Sequence, residues 1–458
     1  MGEGSAKALN TLSGRKVLVV GLGRSGVSVS RFLRRSGAEV TATDISPVEE
    51  LFGAAELLGL GVVVEAGAHN PESFLGADMI VVSPGVPRTL PELVRAAAAG
   101  VEVVSDIELA CRFIEVPIVA VTGTNGKSTV VELLGAVLGA HGRKVFVGGN
   151  IGTPVTEYFE GAEDAELVVL EVSSFHLEAI ETFRPHVAVL LNVTEDHLYR
   201  YREFEEYAET KMRIFSNQGA DDYAVINVGD RVVADAVSRA ELKAAVIPFT
   251  GAGQLDEGLY RDGGDIVFAS AAGRELYPTG GFKLKGLHNI ENVMAAVAAA
   301  RTVGVPRETI VEAVNGFRGL PHRMEPVREF EGVGYVNDSK ATNTDAVLRA
   351  IEATGGPVVL LAGGVDKGGD YGVLREAIGR NVRLLVLMGE ARSKMKEALG
   401  DVTETVLAGG LAEAVETASA AARAGDTVLL SPACSSFDMF ESFEERGEAF
   451  KELVMALR

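Results

Sequence analysis

The sequence predicts an α/β chain of three domains: Rossmann-like at the N-terminus, a central P-loop domain with a mostly parallel sheet, and Rossmann-like again at the C-terminus. Three observations carry this. Short apolar runs recur along the chain, each followed by a polar or glycine-bearing turn and a helical stretch, the pattern of parallel strands with crossover helices. Two glycine turns sit directly after such runs, at Gly21–Gly26 and Gly123–Gly126. The 458 residues suffice for about three domains of roughly 150 residues each. The boundaries are expected at 1–106, 107–319 and 320–458.

Lys16–Val20 reads as the first strand and runs into Gly21-Leu22-Gly23-Arg24-Ser25-Gly26, followed by a helix to Arg35. A second strand over 38–43 ends at Asp44. A GxGxxG turn with an acidic residue closing the next strand is the dinucleotide fingerprint. Any nucleotide diphosphate uses the same helix N-terminus, so the motif alone leaves NAD and other ligands open. Met79–Val82 and 101–104 supply two more strands. The first delivers Ser83-Pro84-Gly85 to a strand end, where open α/β sheets bind ligands, although a plain Pro-Gly turn reads the same way.

The pattern restarts near 106–114. An apolar strand over 116–121 leads into Thr122-Gly123-Thr124-Asn125-Gly126-Lys127-Ser128-Thr129, and a helix is predicted over 130–140. Strand, glycine turn, Lys-Ser and helix form the P-loop arrangement, in which backbone N–H groups cradle phosphates, the lysine reaches the terminal phosphates and the hydroxyl takes Mg²⁺. The full pattern has a glycine five residues before Gly126, and Val121 stands there. Lys144–Val147 is followed by Gly148-Gly149-Asn150. Leu167–Leu170 delivers Glu171, Ser173 and Ser174, and Val187–Leu191 delivers Asn192 and Thr194 to His197. Carboxylate and imidazole groups at strand ends beside a P-loop suit Mg²⁺, with helix or strand caps as the alternative. Glu203–Phe215 is an acidic helix whose Lys211 reads, from spacing alone, as an ordinary helix lysine. Strands follow at Tyr223–Asn227 and Ala245–Phe249, then a separate small hairpin sheet within 257–285. A helix over 293–301 is preceded by Leu287-His288-Asn289-Ile290-Glu291-Asn292, whose two amides, three apart, either cap the helix or recognise a base or phosphate.

Gly319-Leu320-Pro321-His322-Arg323-Met324-Glu325 breaks the helical pattern and reads as a linker. Val333–Val336 then delivers Asn337 to Asn343, Val358–Leu361 delivers Ala362 to Lys367, Leu384–Met388 leads to Gly389-Glu390, and Val428–Leu430 delivers Ser431 to Phe437. The alternation is again βα, with polar residues at the strand ends.

A formal net charge of −21 argues against nucleic-acid or acidic-membrane partners, so positive charge for phosphates has to be gathered locally. Cys111 and Cys434 form no CxxC pair and fit a reducing compartment. No N-terminal apolar h-region and no run near the ~18 residues of a spanning helix are found. A soluble, cytoplasmic monomer without membrane insertion is the expectation.

Taken together, these segments resemble the Mur ligase family, the ATP-dependent amide ligases of peptidoglycan precursor synthesis, across nearly the whole chain and in order. Gly123–Thr129, Asn192–His197, Leu287-His288-Asn289 and His322-Arg323 are similar to that family's ATP and Mg²⁺ machinery. Asp338–Asn343 and Ser431–Cys434 are most similar to its D-glutamate-adding branch, and Glu171-Val172-Ser173-Ser174-Phe175 agrees. The Asp-Asn-Pro-Arg segment of the diaminopimelate- or lysine-adding branch is absent. One position departs: the family often carries an acidic residue two places after the metal histidine, and Tyr199 stands there.

The resemblance implies that ATP phosphorylates the carboxylate of UDP-N-acetylmuramoyl-L-alanine and that D-glutamate attacks the resulting acyl phosphate. It assigns Gly123, Thr124, Asn125, Gly126, Lys127, Ser128, Thr129, Asn289, Asn292, Arg323 and Asp338 to ATP. Ser128 and Glu171 would hold one Mg²⁺ and His197 a second, with Lys211 as the family's carbamylated lysine. Gly23, Arg24, Ser25, Gly26, Asp44, Ile45, Gly85, Asn150 and Ser173 would line the UDP-sugar. Lys127, His197, Lys211 and Lys340 are the catalytic set. Thr342, Lys367, Ser436 and Phe443 fall to D-glutamate, although Lys367 by itself reads as a solvated loop lysine. Hinges for domain closure are expected near 106–114 and 316–322. The rivals are another ligase of the superfamily, a nucleotide sensor that kept the fold, and an NAD-dependent oxidoreductase.

Overall fold

The computed structural model describes residues 3–196, 200–201, 203–284, 286–366 and 368–457. The strands fall into three sheets. The first holds β1 (Lys16–Val20), β2 (Glu39–Asp44), β3 (Val63–Ala66), β4 (Met79–Val82) and β5 (Glu102–Ser105), all parallel, in the order β3-β2-β1-β4-β5. β1 alternates between two cores, as a strand covered on both faces must. Val17 and Val19 pack with Val27, Phe32 and Leu33 of the helix Arg24–Arg35, while Leu18 and Val20 pack with Phe74 and Leu93. The strand order reverses between β1 and β4, so the turns after these two strands meet, and the Ser83 hydroxyl donates to the Gly21 carbonyl at 2.8 Å.

The central sheet comprises β6 (Ile118–Thr122), β7 (Val145–Gly149), β8 (Leu167–Glu171), β9 (Val187–Leu190), β10 (Tyr223–Asn227), β11 (Ala245–Thr250), β12 (Gly258–Asp262), β13 (Asp265–Ser270) and β14 (Gly273–Tyr277). Their order is β14-β13-β12-β11-β10-β9-β6-β8-β7. The hairpin strands expected to form a sheet of their own instead extend this one, through the parallel pairing of Phe249 with Leu259 and Thr250 with Tyr260. β6 lies between β8 and β9, so the carboxyl ends of these three strands are neighbours.

Both sheets belong to one compact unit, which runs through Val193 and includes Glu205–Pro278 and Glu291–Val314. The segment expected to hinge between them is fastened. Glu108, fully buried on the helix Asp106–Cys111, accepts hydrogen bonds from the backbone N–H groups of Glu181, Thr182 and Phe183, the Thr182 hydroxyl and Arg112 Nε. Burial alone would raise its pKa, but these donors outweigh burial and hold the carboxyl below its ordinary range. Ser28 and Thr156 share a 2.6 Å hydroxyl contact, and the rings of Phe32 and Phe159 stack across the same junction.

A second unit comprises Thr194–Phe204, Thr279–Ile290 and Asn315–Arg458. Its sheet holds β15 (Glu325–Phe330), β16 (Val333–Asn337), β17 (Val358–Gly363), β18 (Val382–Met388), β19 (Glu404–Leu407) and β20 (Thr427–Leu430), in the order β15-β16-β20-β17-β18-β19. Only β15 is antiparallel to its neighbour. β17 and β18 carry apolar clusters on both faces. Among the described residues no helix is long and apolar enough to cross a membrane.

Candidate functional site

The turn between β6 and the helix Lys127–Ala140 is fixed by two glycines and one asparagine. Gly126 has φ +89°, the left-handed region that disfavours side chains, and a Cβ there would lie 2.3 Å from Asn292 Oδ1. Asn192, at the end of β9, clamps the turn. Its Oδ1 accepts the Asn125 N–H at 2.8 Å, its Nδ2 donates to the Asn125 carbonyl at 3.0 Å, and its own carbonyl accepts the Thr124 N–H at 2.9 Å. The turn thus presents N–H groups at a helix N-terminus, the geometry that suits phosphate.

Charged side chains crowd this turn. Lys127 Nζ donates to the Gly123 carbonyl at 2.9 Å and the Thr124 carbonyl at 2.8 Å. Lys211, only 1% exposed on the helix Phe204–Met212, donates to the same Gly123 carbonyl at 2.9 Å and lies 4.5 Å from the centroid of the Tyr207 ring. The Tyr207 hydroxyl in turn sits 3.2 Å from Thr124 Oγ1. The Ser128 hydroxyl donates to Glu171 Oε2 at 2.6 Å, and Asn150 Nδ2 holds Glu171 Oε1 at 3.0 Å. Ser128 and Glu171 are hard oxygen donors suited to a divalent cation. Among the described residues no group of three or more His, Cys, Asp or Glu is placed to hold a metal. The buried hydroxyls of Thr122 and Thr129 have no partner among the described residues.

In the first sheet the Gly21–Gly26 turn is tight. A Cβ on Gly26 would lie 1.9 Å from the Gly21 carbonyl, and Gly23 caps the helix that Arg24 and Ser25 begin. Asp44 serves this turn directly: Oδ2 accepts the Leu22 N–H at 2.8 Å and Oδ1 the Ser46 N–H at 2.9 Å. Ile45 is 68% exposed and Gly85 is also exposed, while Ser173 caps the helix Ser174–Leu177 at the end of β8.

In the second unit, Asp338 follows β16. It accepts hydrogen bonds from Ser431 Oγ at 2.9 Å and the Met324 N–H at 3.1 Å. Burial nevertheless raises its carboxyl to about 6, against the pull of Arg323 and of those donors. His288 is pushed down to about 4 by burial and by the charges of Arg349 and Arg323. Lys340 Nζ lies 5.4 Å from the centroid of the Phe443 ring, at the start of the helix Phe443–Ala456. Sequence reasoning missed Arg446 on that helix. Fully buried, it donates to Ser339 Oγ and the Ser339 carbonyl, each at 2.9 Å, and to the carbonyls of Cys434 and Ser435 at 3.2 and 3.3 Å. It thereby ties the segment bearing Lys340 and Thr342 to the one bearing Ser436, and its desolvation lowers its pKa to about 10.

The first unit therefore gathers Gly123 to Thr129, Asn150, Glu171, Ser173, Lys211 and Asn292, together with the Gly23–Gly26, Asp44, Ile45 and Gly85 region. The second carries Asn289, Arg323, Asp338, Lys340, Thr342, Ser436 and Phe443. His197, Tyr199 and Lys367 lie outside the described residues. Asn192 belongs to the Asn192–His197 segment singled out above, and its part in the turn is to clamp Thr124 and Asn125, while Tyr207 is an addition to the predicted set. The signal for Tyr207 was its place one helical turn before Lys211.

Three family models match successive parts of the chain. The Mur ligase MurD-like N-terminal domain matches 15–105, the Mur ligase middle domain 121–300 and the Mur ligase glutamate ligase domain 322–434. The UDP-N-acetylmuramoylalanine--D-glutamate ligase of Geobacter metallireducens is 50% identical over 447 residues, covering 97% of this chain and 98% of its own. The enzyme of the same name from Pelobacter propionicus is 49% identical over 447 residues, covering 97% of this chain and all of its own. Among solved structures, MurF ligase from Thermotoga maritima in complex with ADP superposes with a TM-score of 0.61 at 19% identity, over 98% of this chain and 96% of its own. UDP-N-acetylmuramate-alanine ligase MurC from the same organism gives 0.60 at 18% identity, over 96% and 99%. At these identities the two structures speak for the fold.

Proposed function

The chain belongs to the Mur ligase family, and on that premise we propose that it joins D-glutamate to UDP-N-acetylmuramoyl-L-alanine, using ATP, in peptidoglycan precursor synthesis. A carboxylate is a poor electrophile. Phosphoryl transfer from ATP to the L-alanyl carboxylate gives an acyl phosphate; the D-glutamate amine attacks its carbonyl carbon, an amide forms, and phosphate leaves.

One observation in the first unit supports this reading most directly: Lys127 and Lys211 both donate to the Gly123 carbonyl, beside the Ser128–Glu171 pair. Two ammonium groups sharing one acceptor lie within twice a hydrogen-bond length of each other. Their repulsion is on the order of 3 kcal/mol at an effective dielectric of about 20. Phosphates seated on the turn offset that repulsion, and carbamylation of Lys211 would convert it to attraction by making one partner an anion. Lys127 and the N–H groups at the start of the helix Lys127–Ala140 hold the phosphates. Ser128 and Glu171 would hold Mg²⁺, which supplies charge neutralisation as two anionic reactants meet. Asn150 keeps the Glu171 carboxylate turned toward Ser128. His197 for a second ion, and Lys367 with Thr342, Ser436 and Phe443 for the D-glutamate carboxylates, follow the family pattern. Asn289, Asn292, Arg323 and Asp338 fall to the nucleotide, Lys340 to the reaction centre, and Gly23–Gly26, Asp44, Ile45, Gly85 and Ser173 to the UDP-sugar.

The test is phosphate release from ATP with Mg²⁺ across a panel of D- and L-amino acids. Release that requires both UDP-N-acetylmuramoyl-L-alanine and D-glutamate is expected. Release that requires a different amino acid would move the chain to another branch, and none at all would overturn the ligase reading.

A further inference from the structure

Ser173 is held by a neighbour that the ligase reading leaves without a role. His176 is fully buried and completes a capping box with Ser173. The Ser173 N–H donates to His176 Nδ1 at 3.2 Å, so Nδ1 carries a lone pair and the ring proton is on Nε2. Nε2 lies 3.2 Å from Oδ1 of the buried Asp106 but off the line of a hydrogen bond. The carboxylate therefore acts as a fixed negative charge facing the Nε2–H. Asp106 is itself held, because Oδ1 accepts the Ile107 N–H at 2.9 Å.

This tautomer dictates what Ser173 offers. Ser173 Oγ is 2.9 Å from His176 Nδ1 and also accepts the His176 N–H at 3.3 Å. The Nδ1 lone pair is shared by two donors of Ser173, the N–H at 3.2 Å and the nearer hydroxyl at 2.9 Å, and this shared contact turns the O–H inward. The face that Ser173 turns outward is then a lone pair. We infer that Asp106 and His176 are positioning residues that hold the Ser173 hydroxyl as a hydrogen-bond acceptor, matched to an amide N–H of the sugar-nucleotide substrate and mismatched to its carboxylate and phosphate oxygens. The inference rests on the function proposed above.

Steady-state kinetics with all three substrates test it. S173A is expected to raise the KM for the UDP-sugar about tenfold, the size of one hydrogen bond, with the KM for ATP unchanged. H176L should do the same. H176Q, whose side-chain carbonyl accepts the same N–H and O–H, should recover most of the loss. S173A/H176L should be no worse than S173A, since His176 acts only through Ser173. A full additional loss in the double variant, or a fall in kcat with every KM unchanged, would overturn the inference. Nitrogen NMR of the histidine-labelled wild-type enzyme reads the tautomer whether or not H176L folds. A bare Nδ1 on His176 is expected, and a protonated Nδ1 would overturn the inference. Absent ligase activity in the wild type would instead overturn the function on which it rests, and the NMR signal would still decide the tautomer.

Discussion

Replacing Asp338 by Asn should change how the C-terminal unit responds to acid, because Asp338 and His288 titrate in overlapping windows with opposite signs. The Asp338 carboxyl is raised from 3.8 to about 6, chiefly by burial. Between those values the folded protein binds a proton that the unfolded chain has lost, so stability falls as pH rises through the window. His288 is lowered from 6.5 to about 4 by burial and by Arg349 and Arg323. Across that window the unfolded chain binds the proton and the folded one does not, so stability falls as pH drops. Each displacement corresponds to at most about 3 kcal/mol, with the His288 share reduced because its ring keeps some contact with solvent. In the wild type the two largely cancel. Relative to wild type, Asp338→Asn should leave the His288 contribution bare and lose up to about 3 kcal/mol between pH 6.5 and 4. His288→Gln should do the reverse, losing a similar amount as pH rises from about 4 to 6. Urea unfolding followed by far-ultraviolet circular dichroism across this range gives the profiles, and groups common to all three proteins drop out of the differences. Parallel profiles for both variants and the wild type would refute the argument.

Other substitutions probe the first unit. Gly126→Ala combines a left-handed φ with a Cβ 2.3 Å from Asn292 Oδ1; it should cost about 1–2 kcal/mol and weaken ADP binding at least tenfold by titration calorimetry. Glu108→Ala strands Arg112 and the N–H groups of 181–183, and should cost roughly 3–5 kcal/mol in a thermal or urea melt. The carboxyl it removes has a lowered pKa, so its contribution is present at neutral pH and is lost as pH falls through that value. Lys211→Arg keeps the charge but cannot carry a carbamate, so turnover should drop on the order of a hundredfold. The wild-type rate, measured in carbon-dioxide-depleted buffer, should rise on adding bicarbonate, and the variant's should not.

How much was legible in the sequence follows from where each constraint originates. β1 and β6 are buried on both faces, and that demand writes itself into the chain as a continuous apolar run. β3 and β19 are edge strands, half exposed, with one neighbour each. Glu404-Thr405-Val406-Leu407 carries no such run and gives no strand signal. β15, antiparallel on the opposite edge, gives no strand signal, and only its first residue, Glu325, falls in the segment that reads as a linker. The hairpin strands are legible in the sequence, but their joining to the central sheet is not, since the pairing of β12 with β11 depends on a partner that local sequence does not name. The same distinction governs the site. Gly123 to Thr129 is contiguous and could be read directly. Asn192 and Tyr207 reach the turn from 67 and 83 residues away, and Arg446 reaches Ser339 across 107. Composition likewise could not distinguish a hinge at 106–114 from a fastened junction, because the donors that bind Glu108 come from 181–183.

The departure of the phosphate-binding turn from its full pattern has a physical cause that can be tested. Val121, where a glycine was wanted, is still strand. It is fully buried and paired with Glu171 on one side and Val189 on the other. The conformational freedom the turn needs is supplied later, by Gly123 at φ +153° and Gly126 at φ +89°. Extending β6 by this residue carries the order of the sheet up to Thr122, so the Gly123 carbonyl is fixed where both lysines reach it. Val121→Gly would restore the motif and remove that support. A glycine inside a central strand costs about 1 kcal/mol in backbone entropy, and deleting a buried valine side chain adds about 2 kcal/mol or more. The variant should therefore melt at lower temperature and bind ADP no more tightly than the wild type. Tighter binding at unchanged stability would mean that the missing glycine, and not the strand, limits the turn.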